Sequence, residues 1–265
     1  MFINMQSTNK QSISSQDSKK LYDEGYYLNY VDGASSYNDF DGSYSKLTKR
    51  YKRNLDILNL KSNEYLIDIG CGRGEIVMHH ALNKGRAIGI DYSDSAINIA
   101  RKKARELNIN CEFFTSSFEF LETTNENFDV IYCSEFYEHI THLEAKKFLN
   151  LAYSKLTDNG RLFIHTYPNT LNRRYGYKLS VIFGKFLGKR LPKVQPETLT
   201  PHFYRYHLNE QNIFSLRRDV KNAGFKILSS GYDEEFDGGL LIKNIFRNKI
   251  FKHLFHHDLY LIAKK

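Results

Sequence analysis

Glu135, Glu138 and His139 fall within five residues of one another in Ser134-Glu-Phe-Tyr-Glu-His-Ile140. Two carboxylates and an imidazole this close can move a proton or hold a cation. Earlier in the chain, Leu66-Ile-Asp-Ile69 runs straight into Gly70-Cys-Gly-Arg-Gly74. Three glycines spaced two apart lack the Cβ atoms that would block a tight turn or a close-lying ligand. Asp68, two residues before the first glycine, suits either ordering the loop or facing a cationic ligand. A second apolar run, Ala87-Ile-Gly-Ile-Asp91, ends in an acid about 20 residues beyond the glycines, where ribose hydroxyls can donate to it. The plainer role for Asp91 is to cap the helix that Ser93 to Ala100 begins.

These groups need a scaffold that brings them to one edge. Leu66, Ile67 and Ile69 read as a strand buried on both faces, and Glu75-Ile-Val-Met78 as the first turn of a helix. Strand, glycine loop and helix open a nucleotide-binding βαβ unit. The spacing is G-x-G-x-G, not the G-x-G-x-x-G of a dinucleotide site, and the loop has no lysine for a phosphate. The alternation continues with a helix over Ala96 to Leu107 and strands at Cys111–Thr115 and Phe128–Cys133. A turn over Leu156 to Gly160 leads to a fifth strand, Arg161–Thr166. Glu135 to His139 then lie just past the carboxyl edge of the sheet, where open α/β sheets bind ligands. On a helical turn, Glu135 would share a face with Glu138 or His139; as plain acids, both glutamates would mark a helix start.

Beyond the fifth strand the rhythm breaks. Leu179, Ile182, Phe183, Phe186 and Leu187 recur at helical spacing with lysines opposite, which predicts an amphipathic helix. From Asn159 through Pro196 there is no acid, while eight Lys and Arg residues fall there, so this segment carries much of the +8 net charge. That face is either solvated or ready for an anionic substrate or surface. A helix over Glu210 to Ala223, capped by Asn209 and stopped by Gly224, precedes strands at Phe225–Leu228 and Leu259–Ala263. The expected fold is α/β, a Rossmann-like, doubly wound, mostly parallel seven-stranded sheet with a basic helical insert after the fifth strand. One domain over 1–265 is expected, with 1–57 a helical cap frayed at its start and 170–207 a lid-like insert.

The 41% hydrophobic and 14% aromatic content over 265 residues can bury one sizeable core, which excludes a disordered chain. Cys71, Cys111 and Cys133 form no CxxC pair, and an odd count does not suit a disulfide framework. Together with a polar start that lacks a signal peptide's apolar centre, this points to the cytoplasm.

The glycine loop and Asp91 resemble the first two motifs of the class I S-adenosylmethionine-dependent methyltransferases, and the strand order extends the resemblance from about Leu58 to the C-terminus. The resemblance implies that Asp68, Gly70, Cys71, Gly72 and Gly74 shape the cofactor pocket and that Asp91, with Tyr92, takes the ribose. It places Ser116 or Ser117 at the adenine, where the family commonly has an acid, and the backbone of Cys133 and Ser134 at the methionine moiety. The turn before the fifth strand, Asp158-Asn-Gly160, also departs from the family's usual Pro-Gly-Gly. The E-x-x-E-H run is similar to that of the ubiquinone-biosynthesis O-methyltransferases and of the small-RNA 2′-O-methyltransferases. By that likeness Glu135, Glu138, His139 and the distal His202 are candidate ligands for Mg²⁺ or Mn²⁺; the simpler alternative makes His139 a general base assisted by Glu138, or a pocket residue.

The expected function is methylation of a small anionic acceptor such as a nucleotide-linked metabolite or a glycan sugar. The alternatives are a quinone or lipid-linked acceptor met at a membrane surface, an RNA 2′-hydroxyl, or a nucleotide-binding regulatory module without catalysis. RNA is disfavoured because no RNA-binding module is recognisable. His165, Tyr167 and Asn169 at the end of the fifth strand suit either substrate contact or chain turning. Tyr22, Tyr26, Tyr27 and Tyr30 suit either closing over the cofactor or packing.

Overall fold

The computed structural model describes residues 23–186, 188, 190–193, 207–233 and 251–265. His202 and Tyr22 lie outside these residues, as does much of the distal half of the basic insert. The chain opens with α1 (Glu24–Asn29), two 3-10 turns (Ala34–Asp39, Tyr44–Lys46) and α2 (Lys49–Leu58). There follow β1 (Tyr65–Ile69), α3 (Glu75–Leu82), β2 (Arg86–Asp91), α4 (Asp94–Glu106), β3 (Glu112–Thr115) and the short α5 (Phe120–Thr123). The second half runs β4 (Phe128–Ser134), α6 (His142–Lys155), β5 (Leu156–Thr166), a π-helical turn (Asn172–Gly176), α7 (Tyr177–Phe186), α8 (Ile213–Asn222), β6 (Lys226–Tyr232), α9 (Lys252–Phe255) and β7 (Leu259–Lys264).

The seven strands form one sheet in the order β3-β2-β1-β4-β5-β7-β6. β1 to β5 pair in parallel, and β7 runs antiparallel to both β5 and β6. The order reverses between β1 and β4, so the loops after these two strands flank a crevice at the carboxyl edge. All five residues of β1 are buried, as its apolar run implied. One apolar cluster, with Ile67, Ile131 and Leu162, fills one side of the sheet; a second, with Leu66, Val130 and Phe163, fills the other. Alternate residues of each strand divide between them because side chains in a strand point to opposite faces.

β6 runs on to Tyr232, past the expected Leu228, and the ends of β5 and α8 also differ from the sequence reading. Leu156 to Gly160 belong to β5: Leu156 pairs with Phe128, and an irregularity between Phe128 and Val130 absorbs the change of register. The turn chemistry of Asp158-Asn-Gly160 is thus overridden by strand pairing. α8 begins three residues later than expected because Asn212, not Asn209, caps it, accepting from the amides of Phe214 and Ser215. Asn209 is fully buried and donates to the Tyr137 carbonyl, which ties this segment to the loop after β4. The expected insert helix is present over Tyr177–Phe186, with Ile182 and Phe183 exposed.

The segment before β1 is clamped onto the glycine loop by one arginine. Arg73 donates to the carbonyls of Tyr27 and Asp32, pairs with Glu75 at 2.6 Å and lies 4.4 Å above the Tyr37 ring. Tyr37 in turn donates to the Arg73 carbonyl. Asn54 of α2 reaches the far side of the same edge, donating to the hydroxyls of Tyr132 and Ser134.

Candidate functional site

The glycine loop hangs from β2. The amides of Gly70 and Cys71 both donate to the Ile90 carbonyl, and the Gly72 amide donates to Asp91 Oδ2 at 2.9 Å. Gly70, Gly72 and Gly74 all have positive φ, which side chains disfavour. A Cβ at Gly74 would stand 2.4 Å from the Phe113 ring, whereas one at Gly72 would meet only the Tyr27 ring at 3.8 Å. Gly74 is therefore needed for packing, and Gly72 leaves open space beside Asp91.

The second oxygen of Asp91 accepts from the Ser93 amide. Burial raises its carboxyl to about 6, against the lowering effect of the Ser93 and Gly72 amides and the Tyr27 hydroxyl. Asp68 is buried and pushed well above the usual carboxylate range, first by burial and then by Asp91 and Glu75. Burial raises the Tyr26 hydroxyl, and the charges of Glu135 and Asp91 raise it further. Tyr27 is buried, while Tyr30 is 81% exposed. Of the N-terminal tyrosines, Tyr26 and Tyr27 therefore lie at the site and Tyr30 does not.

At the ends of β4 and β5 the polar groups divide. Glu135 has φ +56 and its amide donates to the His165 carbonyl, so the chain turns away from the strand here. Its carboxylate takes His165 Nδ1 at 3.1 Å on one oxygen and Arg50 at 3.2 Å on the other. Burial works to raise this carboxyl, but Arg50 together with His165 and His139 holds it well below the ordinary range. Glu138 points elsewhere: it accepts from the Thr166 hydroxyl at 2.8 Å and from the Tyr167 amide, and burial followed by Glu135 pushes its carboxyl far up. His139 is half-buried, with its ring edge-on to that of His207 at 5.0 Å. His165 is fully buried, and its Nε2 lies 3.8 Å from both Asp233 and Asp258.

This edge opens into a cavity of about 660 Å³ between the N-terminal segment and the residues before β7. Lys49, Arg50 and Arg53 line one side, and Asp233, His257 and Asp258 the other. Such a space holds a small molecule and presents both charge signs to it.

Residues 60–185 match the family model described as a methyltransferase domain. The chain is 28% identical over 133 residues to a ubiquinone biosynthesis O-methyltransferase of Coxiella burnetii, covering 49% of this chain and 53% of that protein. It is 29% identical over 175 residues to the Rickettsia akari protein of the same name, covering 66% and 62%. The chain thus spans about half the length of the first of these curated relatives. Its fold is that of solved S-adenosylmethionine-dependent methyltransferases. Magnesium protoporphyrin IX methyltransferase of Synechocystis PCC 6803, solved with S-adenosylhomocysteine, superposes with TM-score 0.54 at 17% identity, covering 95% of each chain. A mycolic acid cyclopropane synthase, also solved with S-adenosylhomocysteine, superposes with TM-score 0.63 at 14% identity, covering 97% of this chain and all of that one.

The sequence-derived cofactor residues gather at the carboxyl edge of the sheet, around the glycine loop and Asp91, with some departures. Cys133 is in the core, so it offers only backbone, and Ser134 Oγ is engaged by Asn54. The Ser116 amide donates to the Asp91 carbonyl, which puts Ser116 next to Asp91, and Tyr92 is half-buried. Ser117 is exposed and caps Glu119. The acidic run after β4 does not form a helical turn, nor do its glutamates start a helix, because Thr141 and Glu144 make a capping box that begins α6 at His142. Among the described residues, the group of His, Cys and acidic side chains whose ligand atoms converge within 4.8 Å is His165, Asp233 and Asp258. Asp233 and Asp258 were not singled out from the sequence: Asp233 opens the acidic run Asp233-Glu-Glu235, Asp258 immediately precedes β7, and both are far from His165 along the chain.

Thr166 offers a direct check on this division of roles. Thr166→Val keeps the shape but leaves buried Glu138 short of a donor. A loss of about 1–3 kcal/mol in urea unfolding is expected, with cofactor affinity unchanged.

Proposed function

We propose that the domain transfers the methyl group of S-adenosylmethionine to an oxygen of a small acceptor bound in the cavity beside Glu135 and Asp258. The observation that carries the donor is Asp91, whose carboxylate is fixed by the Gly72 amide beside the open face of the glycine loop. Each oxygen accepts one amide, and ribose hydroxyls would take the remaining lone pairs in competition with the Tyr27 hydroxyl. Asp68, buried with no arginine or lysine on its carboxylate among the described residues, suits the cationic end of the same cofactor. The family resemblance and the fold shared with S-adenosylhomocysteine complexes support the same donor.

The sulfonium activates the methyl group, so alignment of acceptor, methyl carbon and sulfur supplies much of the rate. His139 is proposed as the base that takes the acceptor's proton, with Glu135 held ionised beside it. Glu138 is proposed to act through position, bracing the loop against Thr166. Lys49, which lines the cavity, favours an acceptor that carries negative charge. The names of the curated relatives favour a second reading, in which the acceptor is a quinone precursor.

Calorimetric titration with S-adenosylmethionine and with NAD tests the donor. Binding of the former alone is expected, and tight binding of NAD alone would overturn the reading. A labelled-methyl screen over phosphorylated metabolites, nucleotide sugars, quinol precursors and short RNAs then separates the acceptor classes. His139→Ala should lower kcat by about 10²-fold or more in any of them.

A further inference from the structure

We infer a divalent metal site formed by His165 Nε2, Asp233 Oδ2 and Asp258 Oδ2, taking Mn²⁺ or a similar first-row ion. His165 is fully buried, and its Nε2 has no hydrogen-bond partner among the described residues. Buried ring nitrogens are ordinarily paired, so an orphan aimed between two carboxylates needs an explanation.

The other ring nitrogen supplies part of it. Glu135 takes Nδ1 at 3.1 Å, and a carboxylate there holds the proton on Nδ1, leaving the Nε2 lone pair facing Asp233 and Asp258. A histidine oriented by an acid on one nitrogen and presented to acids by the other is the usual arrangement of a metal ligand. The distances agree. Nε2 lies 3.8 Å from each carboxylate oxygen, too far for a hydrogen bond. Two ligands each about 2.1 Å from one ion can stand at most about 4.2 Å apart, so both pairs can share it. The three atoms lie within 4.8 Å of one another, and the partly exposed Asp258 has room to close the rest.

Charge points the same way. Glu135, Asp233 and Asp258 face two guanidiniums, Arg50 on Glu135 and Arg53 on Asp233, which leaves negative charge for a cation to neutralise. One imidazole with two carboxylates suits Mn²⁺, Fe²⁺ or Zn²⁺ better than Ca²⁺. Asp233 and Asp258 both line the 660 Å³ cavity, so an ion's remaining positions would open toward a bound acceptor. That last role rests on the methyl-transfer reading; the binding of the ion does not. The site differs from Glu135, Glu138, His139 and His202, in which Glu138 is already committed to Thr166.

The test is Mn²⁺ titration of the metal-free full chain, followed by electron paramagnetic resonance. One bound ion per chain is expected. Asp258→Asn and His165→Gln should each weaken it by at least about tenfold, while the melting temperature of Asp258→Asn and its affinity for S-adenosylmethionine hold. Asp258 is the decisive variant because its side chain is partly exposed and its loss need not disturb folding. The absence of bound Mn²⁺ at millimolar concentration would overturn the site. So would binding that survives Asp258→Asn, or that is lost in His202→Ala alone. Failure to bind S-adenosylmethionine would sink the methyl-transfer reading and leave the Mn²⁺ result standing.

Discussion

Asp91→Ala should weaken S-adenosylmethionine binding by about 10²-fold or more, because two charge-assisted hydrogen bonds to ribose at about 1.5–3 kcal/mol each would be lost. The same change frees the Gly72 amide, so the loop also loses the bond that fixes it to β2. Calorimetry reads the effect directly, and an affinity within about threefold of the wild type would remove Asp91 from the cofactor site. The carboxyl adds a pH signature. Burial raises it from 3.8 to about 6, so in the free protein it is ionised, and able to accept two hydroxyls, only above that value. Cofactor affinity should fall as pH drops through about 6, and Asp91→Asn should flatten that dependence. For stability the sign is opposite. Between 3.8 and about 6 the unfolded chain has released this proton and the folded chain has not, so this group makes stability fall as pH rises across that window.

Arg73→Ala should cost about 3–5 kcal/mol in urea unfolding, the usual loss when one partner of a buried ion pair is removed. Arg73 is 3% exposed and Glu75 5%, so the remaining carboxylate could not be rescued by water. The clamp on Tyr27 and Asp32 goes with it. Adding Glu75→Gln to Arg73→Ala should recover part of the loss, since a neutral amide is cheaper to bury than an unpaired charge. A loss below about 1 kcal/mol would show that the pair is not buried in solution. Cofactor affinity should also fall, because Tyr27 lies beside Gly72 and bonds to Asp91.

Arg73 shows how far the sequence could be read. It sits inside the glycine motif, yet nothing local distinguishes it from a solvent-facing loop residue; its partners at Tyr27, Asp32 and Tyr37 are more than 30 residues away. The distal acids show the same limit. Glu135 and His139 stood out because they are close along the chain, whereas Asp233 and Asp258 meet His165 only because antiparallel β7 starts where parallel β5 ends. Even within the E-x-x-E-H run, spacing suggested a shared helical face that the backbone does not make.

By itself the sequence determined the local and periodic features: the buried first strand, the glycine loop, Asp91 at its distance, and the alternation that makes a mostly parallel sheet. Short-range sterics and burial periodicity dictate these, and both are written in neighbouring residues. Only the tertiary structure decided which polar groups converge. That depends on strand order, on the antiparallel return of β7 and on which carboxylates find a buried donor first. Glu138 found Thr166 and Glu135 found His165, so the groups left facing one another are His165, Asp233 and Asp258.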